Sequence, residues 1–142
     1  MRVDTDTAGG VLRRIRAGQG ADMVIVTPSV IDGLIADGTL APGSRRDVAQ
    51  VRIGVAVKAG APRPDLSSAE TFRDALLAAP SVAIVDPASG GSSGIYLTAL
   101  FERMGIAEAM TANLVRVNGG LAAGAVAVGR ASMALQQVSE LL

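Results

Sequence analysis

The chain has 142 residues, of which 49% are hydrophobic and 18% charged, and these proportions indicate an ordinary globular protein and exclude a disordered one. Thirteen basic residues balance thirteen acidic ones and only 2% of the residues are aromatic, so neither charge nor stacking side chains favour a nucleic-acid partner. The absence of Cys and His excludes thiol catalysis, Ser-His-Asp triads and almost every transition-metal site, and we expect no cofactor.

No stretch of the sequence approaches ~18 uninterrupted apolar residues, the length that a membrane-spanning helix needs. The first residues also lack the apolar core of a signal peptide. We therefore expect a soluble chain with no visible export signal.

Two helices and one strand are predicted in the first part of the chain. Apolar residues at helical spacing follow Thr7 and predict a helix that ends at Gly18. Residues 23–26 form a short apolar run that predicts a strand. Pro28 suits the first position of a second helix, which is predicted to end at Gly38.

A strand and a capped helix are predicted next. Residues 51–57, which are apolar except for Arg52 and include one glycine, predict a strand. Ser67 and Glu70 have the spacing of a capping box, in which each side chain satisfies a backbone donor at the start of a helix. That helix is predicted to end near Ala79.

The strongest functional pattern of the chain is an apolar strand, a Gly/Ser loop and a helix. The strand, residues 82–85, stops at Asp86, and helical periodicity resumes at Ile95. The loop at residues 89–94 contains only Ser and Gly. Because the first N–H groups of a helix lack internal partners and the helix dipole adds positive charge there, this loop is suited to bind an anion. The alternative is that it is only a turn with a Ser N-cap, as many such loops are.

The last part of the chain repeats this arrangement. A strand is predicted at residues 114–117 and an Ala-rich helix at residues 121–128, with a glycine-rich loop at residues 118–120 between them. A final strand, residues 132–137, ends in two adjacent amides.

Alternating strands and helices predict an α/β fold with a mainly parallel sheet and helices on both faces. Ligands of such sheets bind outside the carboxyl ends of the strands. The loops that open helices at residues 6–9, 89–94 and 118–120 are therefore candidates for an anion or carboxylate site.

Five segments, in this order, carry a resemblance to a known family: DTAGG at 6–10, GADMVIVTPSVIDGLIADG at 20–38, IGVAVKAGAPRPD at 53–65, DPASGGSSGIY at 86–96 and ALQQVSELL at 134–142. The chain resembles the type II periplasmic solute-binding proteins related to the molybdate-binding protein of ABC transporters. This resemblance implies a periplasmic-binding-protein-like fold of two α/β lobes joined by a hinge, with the ligand held in the cleft between them by hydroxyls and backbone amides. It also implies a periplasmic or extracellular location.

The resemblance assigns ligand-binding positions residue by residue. They are Thr7 and Ala8 in one loop, Ser92, Ser93 and Gly94 in another, Gly119 in a third, and Gln137 at the end of the last strand. Gln137 stands where the molybdate binders place a tyrosine. Because an amide both donates and accepts, an organic carboxylate is at least as plausible a ligand as molybdate or another oxyanion.

The resemblance divides the chain into one complete lobe and part of another. Residues 1–50 correspond to a partial first lobe, residues 51–135 to the second lobe and residues 136–142 to the return hinge. Compared with the family, elements are missing at both ends, which leads to the hypothesis of a truncated or split binding protein with an incomplete pocket.

The leading functional hypothesis is a solute-binding module, not an enzyme, that carries a small oxyanion or organic carboxylate to the membrane component of an ABC transporter. Because unpaired strand edges would be exposed, we also expect a homodimer or a domain swap. A third interpretation is a truncated structural fragment that binds no ligand and dimerises.

The alternative is an enzyme, because a few relatives of these binding proteins look like isomerases of small unsaturated tricarboxylic acids. Moving a proton in such a substrate needs a general base, and without His the candidates are Asp4, Asp6, Asp86 and Glu140. Asp86 is best placed, directly after a strand. Its competing interpretation is a residue that forms the turn before Pro87.

Overall fold

In the computed structural model, which describes residues 2–141, the chain divides into two units between Gln50 and Val51. The N-terminal unit contains two helices, α1 (Ala8–Arg16) and α2 (Pro28–Ala36). They confirm the two helices predicted for this part of the sequence. Both are followed by a glycine at positive φ, Gly18 at 88° and Gly38 at 80°, a backbone conformation that ends a helix without a Cβ clash.

The strand predicted at residues 23–26 is wrong. These residues are not in regular structure, and their backbone makes no hydrogen bond to another described residue. The side chains of Met23 and Ile25 are 72% and 67% exposed. An apolar run becomes a strand only when a neighbouring strand pairs with its N–H and C=O groups, and the described part of the N-terminal unit offers none.

Residues 51–141, the described part of the C-terminal unit, form four strands and four helices. In chain order these are β1 (Ile53–Val57), α3 (Ala69–Ala78), β2 (Val82–Val85), α4 (Ser92–Arg103), α5 (Ala107–Thr111), β3 (Leu114–Val117), α6 (Ala122–Ala127) and β4 (Met133–Gln137). Short 3-10 turns, Pro87–Ser89 and Val138–Glu140, follow β2 and β4. The helix α5 has no counterpart among the predicted elements.

The four strands form one sheet in the order β1-β4-β2-β3. β2 is parallel to both β3 and β4, whereas β1 is antiparallel to β4, with Ile53 opposite Gln137. The sheet is therefore mainly parallel, with one antiparallel strand at its edge, and the predicted α/β class is confirmed.

Helices cover both faces of this sheet, as predicted. Because successive strand residues point to opposite faces, the fully apolar strand β2 contributes to two cores. Val82 and Ile84 pack in one core with side chains of α3, α4 and α5, among them Phe101. Ala83 and Val85 pack in the other core, on the side of α6.

The capping box of α3 lies one residue later than predicted. The helix begins at Ala69, so Ser68 is the N-cap and Thr71 occupies the third helical position. Ser68 Oγ accepts from the Thr71 N–H at 3.1 Å, and Thr71 Oγ1 accepts from the Ser68 N–H at 3.1 Å. The predicted pair, Ser67 with Glu70, is wrong because its spacing matched the motif but the helix start did not.

Within residues 2–141, no helix has both the length and the apolar character needed to cross a membrane. The assignment of residues 1–50, 51–135 and 136–142 to two lobes and a hinge stays a prediction.

Candidate functional site

The parallel strands β2, β3 and β4 all finish at the same edge of the sheet, which we call the carboxyl edge. The segment after β2 carries the predicted positions Ser92, Ser93 and Gly94, and the segment after β3 carries Gly119. The remaining position, Gln137, is the last residue of β4. The predicted positions of the C-terminal unit are thus brought to one edge by the parallel pairing. Thr7 and Ala8 belong to the N-terminal unit.

The start of α4 presents free backbone donors at the carboxyl edge. Gly91 is the N-cap and contributes no side-chain cap, so the helix begins at Ser92, earlier than the predicted Ile95. Over the described residues, the N–H groups of Ser92, Ser93 and Gly94 have no hydrogen-bond partner, whereas the next N–H, of Ile95, donates to the Gly91 carbonyl at 3.1 Å. Three unpaired donors at the positive end of a 12-residue helix form a suitable environment for a carboxylate.

Glycine at two positions allows α4 to start directly against the end of β2. A Cβ on Gly94 would overlap the carbonyl oxygen of Val85, and a Cβ on Gly91 would overlap the Val85 side chain. Ser93, which lies between them, is 4% exposed. The Gly/Ser composition of this loop therefore has a packing reason in addition to its suitability for a ligand.

The side chains of Gln137, Ser92 and Glu140 form a hydrogen-bonded chain at the carboxyl edge. The Gln137 amide lies 3.0 Å from Ser92 Oγ. With its oxygen turned to this hydroxyl, Gln137 Oε1 accepts from Ser92 Oγ at 3.0 Å, and Nε2 donates to both Glu140 carboxylate oxygens at 3.1 Å. This orientation satisfies both ends of the amide. All three residues are half-buried, so the cluster is partly open to solvent.

The neighbouring amide, Gln136, has a different role that the sequence patterns did not reveal. Its side chain is 2% exposed, and its Oε1 accepts from the Ala122 N–H, at the start of α6, at 2.6 Å. One of the helix donors predicted for an anion at this loop is therefore satisfied by the protein itself. Gly119 is exposed with a φ of 76°. The sequence did contain one indication that the two amides have different roles. Gln136 and Gln137 are adjacent in a strand, and successive side chains of a strand point to opposite faces of the sheet.

Asp86 holds the turn that follows β2. Its carboxylate accepts from the Ala88 N–H at 3.0 Å, and its backbone carbonyl accepts from Ser89 Oγ at 2.7 Å. These contacts are the ones expected of a residue that forms a turn before proline. A role for Asp86 as a general base stays a prediction.

The start of α1 is capped by its own residues. Thr7 Oγ1 accepts from the Gly10 N–H at 3.1 Å, and the Asp6 carboxylate accepts from the Thr7 N–H at 2.7 Å. Asp6 also pairs with Arg14 at 3.1 Å. The negative charge that favours a helix N-terminus is thus supplied here by Asp6, next to Thr7 and the half-buried Ala8. Ligand binding by Thr7 and Ala8 stays a prediction.

Comparison with known proteins gives a family and one relative. The family model described as "Bacterial extracellular solute-binding protein" matches residues 1–142. A protein named aconitate isomerase, from Pseudomonas sp, is 37% identical over 137 residues, which is 96% of this chain and 51% of the relative. The chain thus spans about half the length of that relative.

These comparisons confirm one prediction and overturn another. The predicted solute-binding family is confirmed, and its description as extracellular agrees with the predicted periplasmic or extracellular location. The molybdate-like subtype stays a prediction. The prediction that the chain is not an enzyme is wrong, because the 37% identical relative carries the name of an isomerase.

Proposed function

This chain belongs to the bacterial extracellular solute-binding proteins, and from that premise we propose that it binds a small organic polycarboxylate and isomerises an unsaturated tricarboxylic acid of the aconitate class. The observation that carries the proposal is the cluster at the carboxyl edge. There the free N–H groups that open α4 lie beside the Ser92–Gln137–Glu140 chain. The similarity to aconitate isomerase supports the same substrate class.

The start of α4 supplies the anchor for one substrate carboxylate. Two carboxylate oxygens accept from the N–H groups of Ser92, Ser93 and Gly94, while the Ser92 hydroxyl donates its one hydrogen to Gln137 Oε1. No basic side chain is required, because the helix dipole and the backbone donors provide the positive potential.

The ligand class follows from the charges on the far side of this anchor. Glu140 lies one amide away from Ser92 and repels a compact oxyanion such as molybdate, which carries its full charge close to that point. A tricarboxylic acid places its other carboxylates several bonds away and presents C–H groups in between. The Gln137 amide has both a donor and an acceptor, so it can bind an ionised or a protonated carboxyl group of such a ligand.

Isomerisation needs a group that removes a proton from carbon and returns it. Asp86 and Glu140 are carboxylates that the strand ends place at the carboxyl edge. In a protein that has no His, these two carboxylates are the candidates for the base at this edge.

The second candidate function is capture of a small anion for an ABC-type transporter. The family description over the whole matched range, residues 1–142, favours it. In this case the same anchor at α4 holds the solute, and the partner is the membrane component of the transporter. The homodimer or domain swap expected from exposed strand edges also stays a prediction, and light scattering tests it.

The test is a binding and turnover screen of the full-length protein with cis-aconitate, trans-aconitate, citrate, molybdate, tungstate, sulfate and phosphate. A ligand at ~100 times its dissociation constant stabilises the native state by about 2.7 kcal/mol, which thermal unfolding detects. Interconversion of the two aconitates is followed in the same samples by proton NMR.

We expect stabilisation by the tricarboxylates and interconversion of cis- and trans-aconitate. Stabilisation by tricarboxylates without interconversion would favour transport instead. Selective stabilisation by molybdate or tungstate would contradict the proposed substrate class. The variant Ser92→Ala removes the hydroxyl that donates to Gln137 but keeps the backbone donors, so it should weaken binding less than Gly94→Ala, which displaces the helix start.

A further inference from the structure

We propose that Glu140 is the residue that takes the proton from the substrate and returns it, and that Gln137 is its positioning residue. This inference rests on the proposed isomerase function. It is carried by the backbone that holds Glu140, by the hydrogen bonds of its carboxylate and by its separation from the anchor at α4.

The backbone before Glu140 is fixed to the sheet. The 3-10 turn Val138–Glu140 follows β4 directly, and the Val138 N–H donates to the Arg52 carbonyl at 2.9 Å, continuing the antiparallel pairing with β1. Gly54 in β1 leaves room for this turn, because a Cβ there would lie 2.9 Å from Leu141 Cδ1 and 3.0 Å from Val138 Cγ2. The glycine inside β1 is thus explained by the turn that carries Glu140.

The carboxylate of Glu140 is oriented by a side chain. Both of its oxygens lie 3.1 Å from Gln137 Nε2, and Gln137 Oε1 accepts from Ser92 Oγ at 3.0 Å. Two hydrogen bonds and the width of one amide therefore separate Ser92 Oγ from the Glu140 carboxylate, a distance of at most about 8 Å. A tricarboxylic acid with one carboxylate on the start of α4 spans this distance, so its methylene group comes within reach of Glu140.

The partners of the two carboxylates distinguish Glu140 from Asp86. Asp86 accepts from a backbone N–H of its own turn, and moving it would open that turn. Glu140 is held by a side-chain amide, which can rotate toward a ligand without loss of backbone structure. Glu140 is therefore the carboxylate that can turn to the substrate.

The reaction balances with Glu140 alone. Its carboxylate takes a proton from the methylene next to a substrate carboxylate, and the C–H electron pair becomes a new double bond to the central carbon. The electron pair of the original double bond then takes a proton at the far carbon from the Glu140 carboxylic acid. The double bond has moved by one carbon, the base is regenerated, and no oxidant or reductant is required.

The experiment is proton NMR of the full-length protein with cis- or trans-aconitate in D2O, which reports both interconversion and exchange of the methylene protons. Removing a general base typically lowers the rate 10²–10⁴-fold. We expect Glu140→Gln to lower both rates by about this factor and to change aconitate affinity only a few-fold. The matched control is Glu102→Gln, because this exposed residue lies about 15 Å from Ser92 along α4 and should keep turnover within about two-fold.

The outcomes separate this inference from the proposed function. Interconversion by the wild type together with near-normal rates in Glu140→Gln overturns the role of Glu140 and leaves the isomerase proposal standing. A wild type that neither exchanges nor interconverts the aconitates overturns both. If circular dichroism shows that Glu140→Gln does not fold, Glu140→Asp replaces it in the test. This variant keeps the carboxylate but moves it away from the substrate by one methylene, and a large loss of rate is again expected.

Gln137 is tested by a double-mutant cycle. Gln137→Met removes the amide and should lower kcat in the wild-type background. In the Glu140→Gln background the same change should have little further effect on kcat, because the carboxylate that it positions is gone. Equal losses in both backgrounds would show that Gln137 acts independently of Glu140 and overturn its assigned role.

Discussion

The buried amide of Gln136 provides the sharpest test of how the carboxyl edge is built. Its Oε1 accepts from the Ala122 N–H at 2.6 Å, and Ala122 is completely buried. The second contact of the amide, from Nε2 to the Gly120 carbonyl at 3.5 Å, is too long to contribute much. Gln136→Met keeps an unbranched side chain of similar size and removes the acceptor.

The expected loss of stability comes from the Ala122 N–H, which stays buried in this variant without its acceptor. A buried N–H left without a partner costs about 1–3 kcal/mol, and methionine fills most of the space, so the cavity contribution is small. We therefore expect Gln136→Met to lower the free energy of unfolding by about 2 kcal/mol. Gln137→Met is the matched control, since its half-buried amide contacts only side chains and its loss should cost less than about 1 kcal/mol.

Urea unfolding measures the global effect, and hydrogen exchange of the Ala122 amide measures the local one. Protection of this amide should fall in Gln136→Met and persist in Gln137→Met. The reasoning would be refuted by a Gln136→Met protein with unchanged Ala122 protection and a free energy of unfolding within about 0.5 kcal/mol of the wild type, the change typical of a surface substitution.

Three further predictions concern single positions. Gly94→Ala should lower the free energy of unfolding by about 1–3 kcal/mol, because its Cβ would overlap a strand carbonyl. Gly124→Ala, in open space on α6, should raise the free energy of unfolding by up to about 1 kcal/mol, and urea unfolding of both variants compares them directly. Ser68→Ala should cost about 1 kcal/mol and Ser67→Ala clearly less, and the reverse order in thermal unfolding would contradict the observed capping register. Asp86→Asn keeps an oxygen that accepts from the turn, so turnover should persist; its complete loss with ligand binding intact would restore Asp86 as the base.

Local patterns in the sequence were sufficient for most elements of the C-terminal unit. The apolar run of β2 and the apolar spacing of α4 were read correctly because burial on a sheet and on a helix face impose different periods. Errors arose at element ends. The start of α4 at Ser92 was missed because small residues carry no periodic signal, and its position depends on contact with Val85.

At the candidate site, too, the sequence indicated individual residues, whereas the contacts between them depend on the tertiary structure. Ser92 and Gln137 were both proposed from the sequence, and the structure brings them within 3.0 Å. Their contact could not be derived from local patterns, because it depends on the parallel placement of β4 beside β2. Glu140 was one of several candidate carboxylates, and only its hydrogen bond to Gln137 separates it from Asp86.

The sequence by itself determined the α/β class, the presence of a Gly/Ser-rich segment between β2 and α4, and the exclusion of histidine and thiol chemistry, because composition and periodicity are local properties of the chain. Tertiary structure alone decided that residues 23–26 are unpaired, that β1 runs antiparallel, and that Gln136 is buried while Gln137 reaches Glu140. The physical reason is that strand pairing and side-chain hydrogen bonds join residues far apart in sequence, so their energies depend on the packed arrangement and not on the neighbours along the chain.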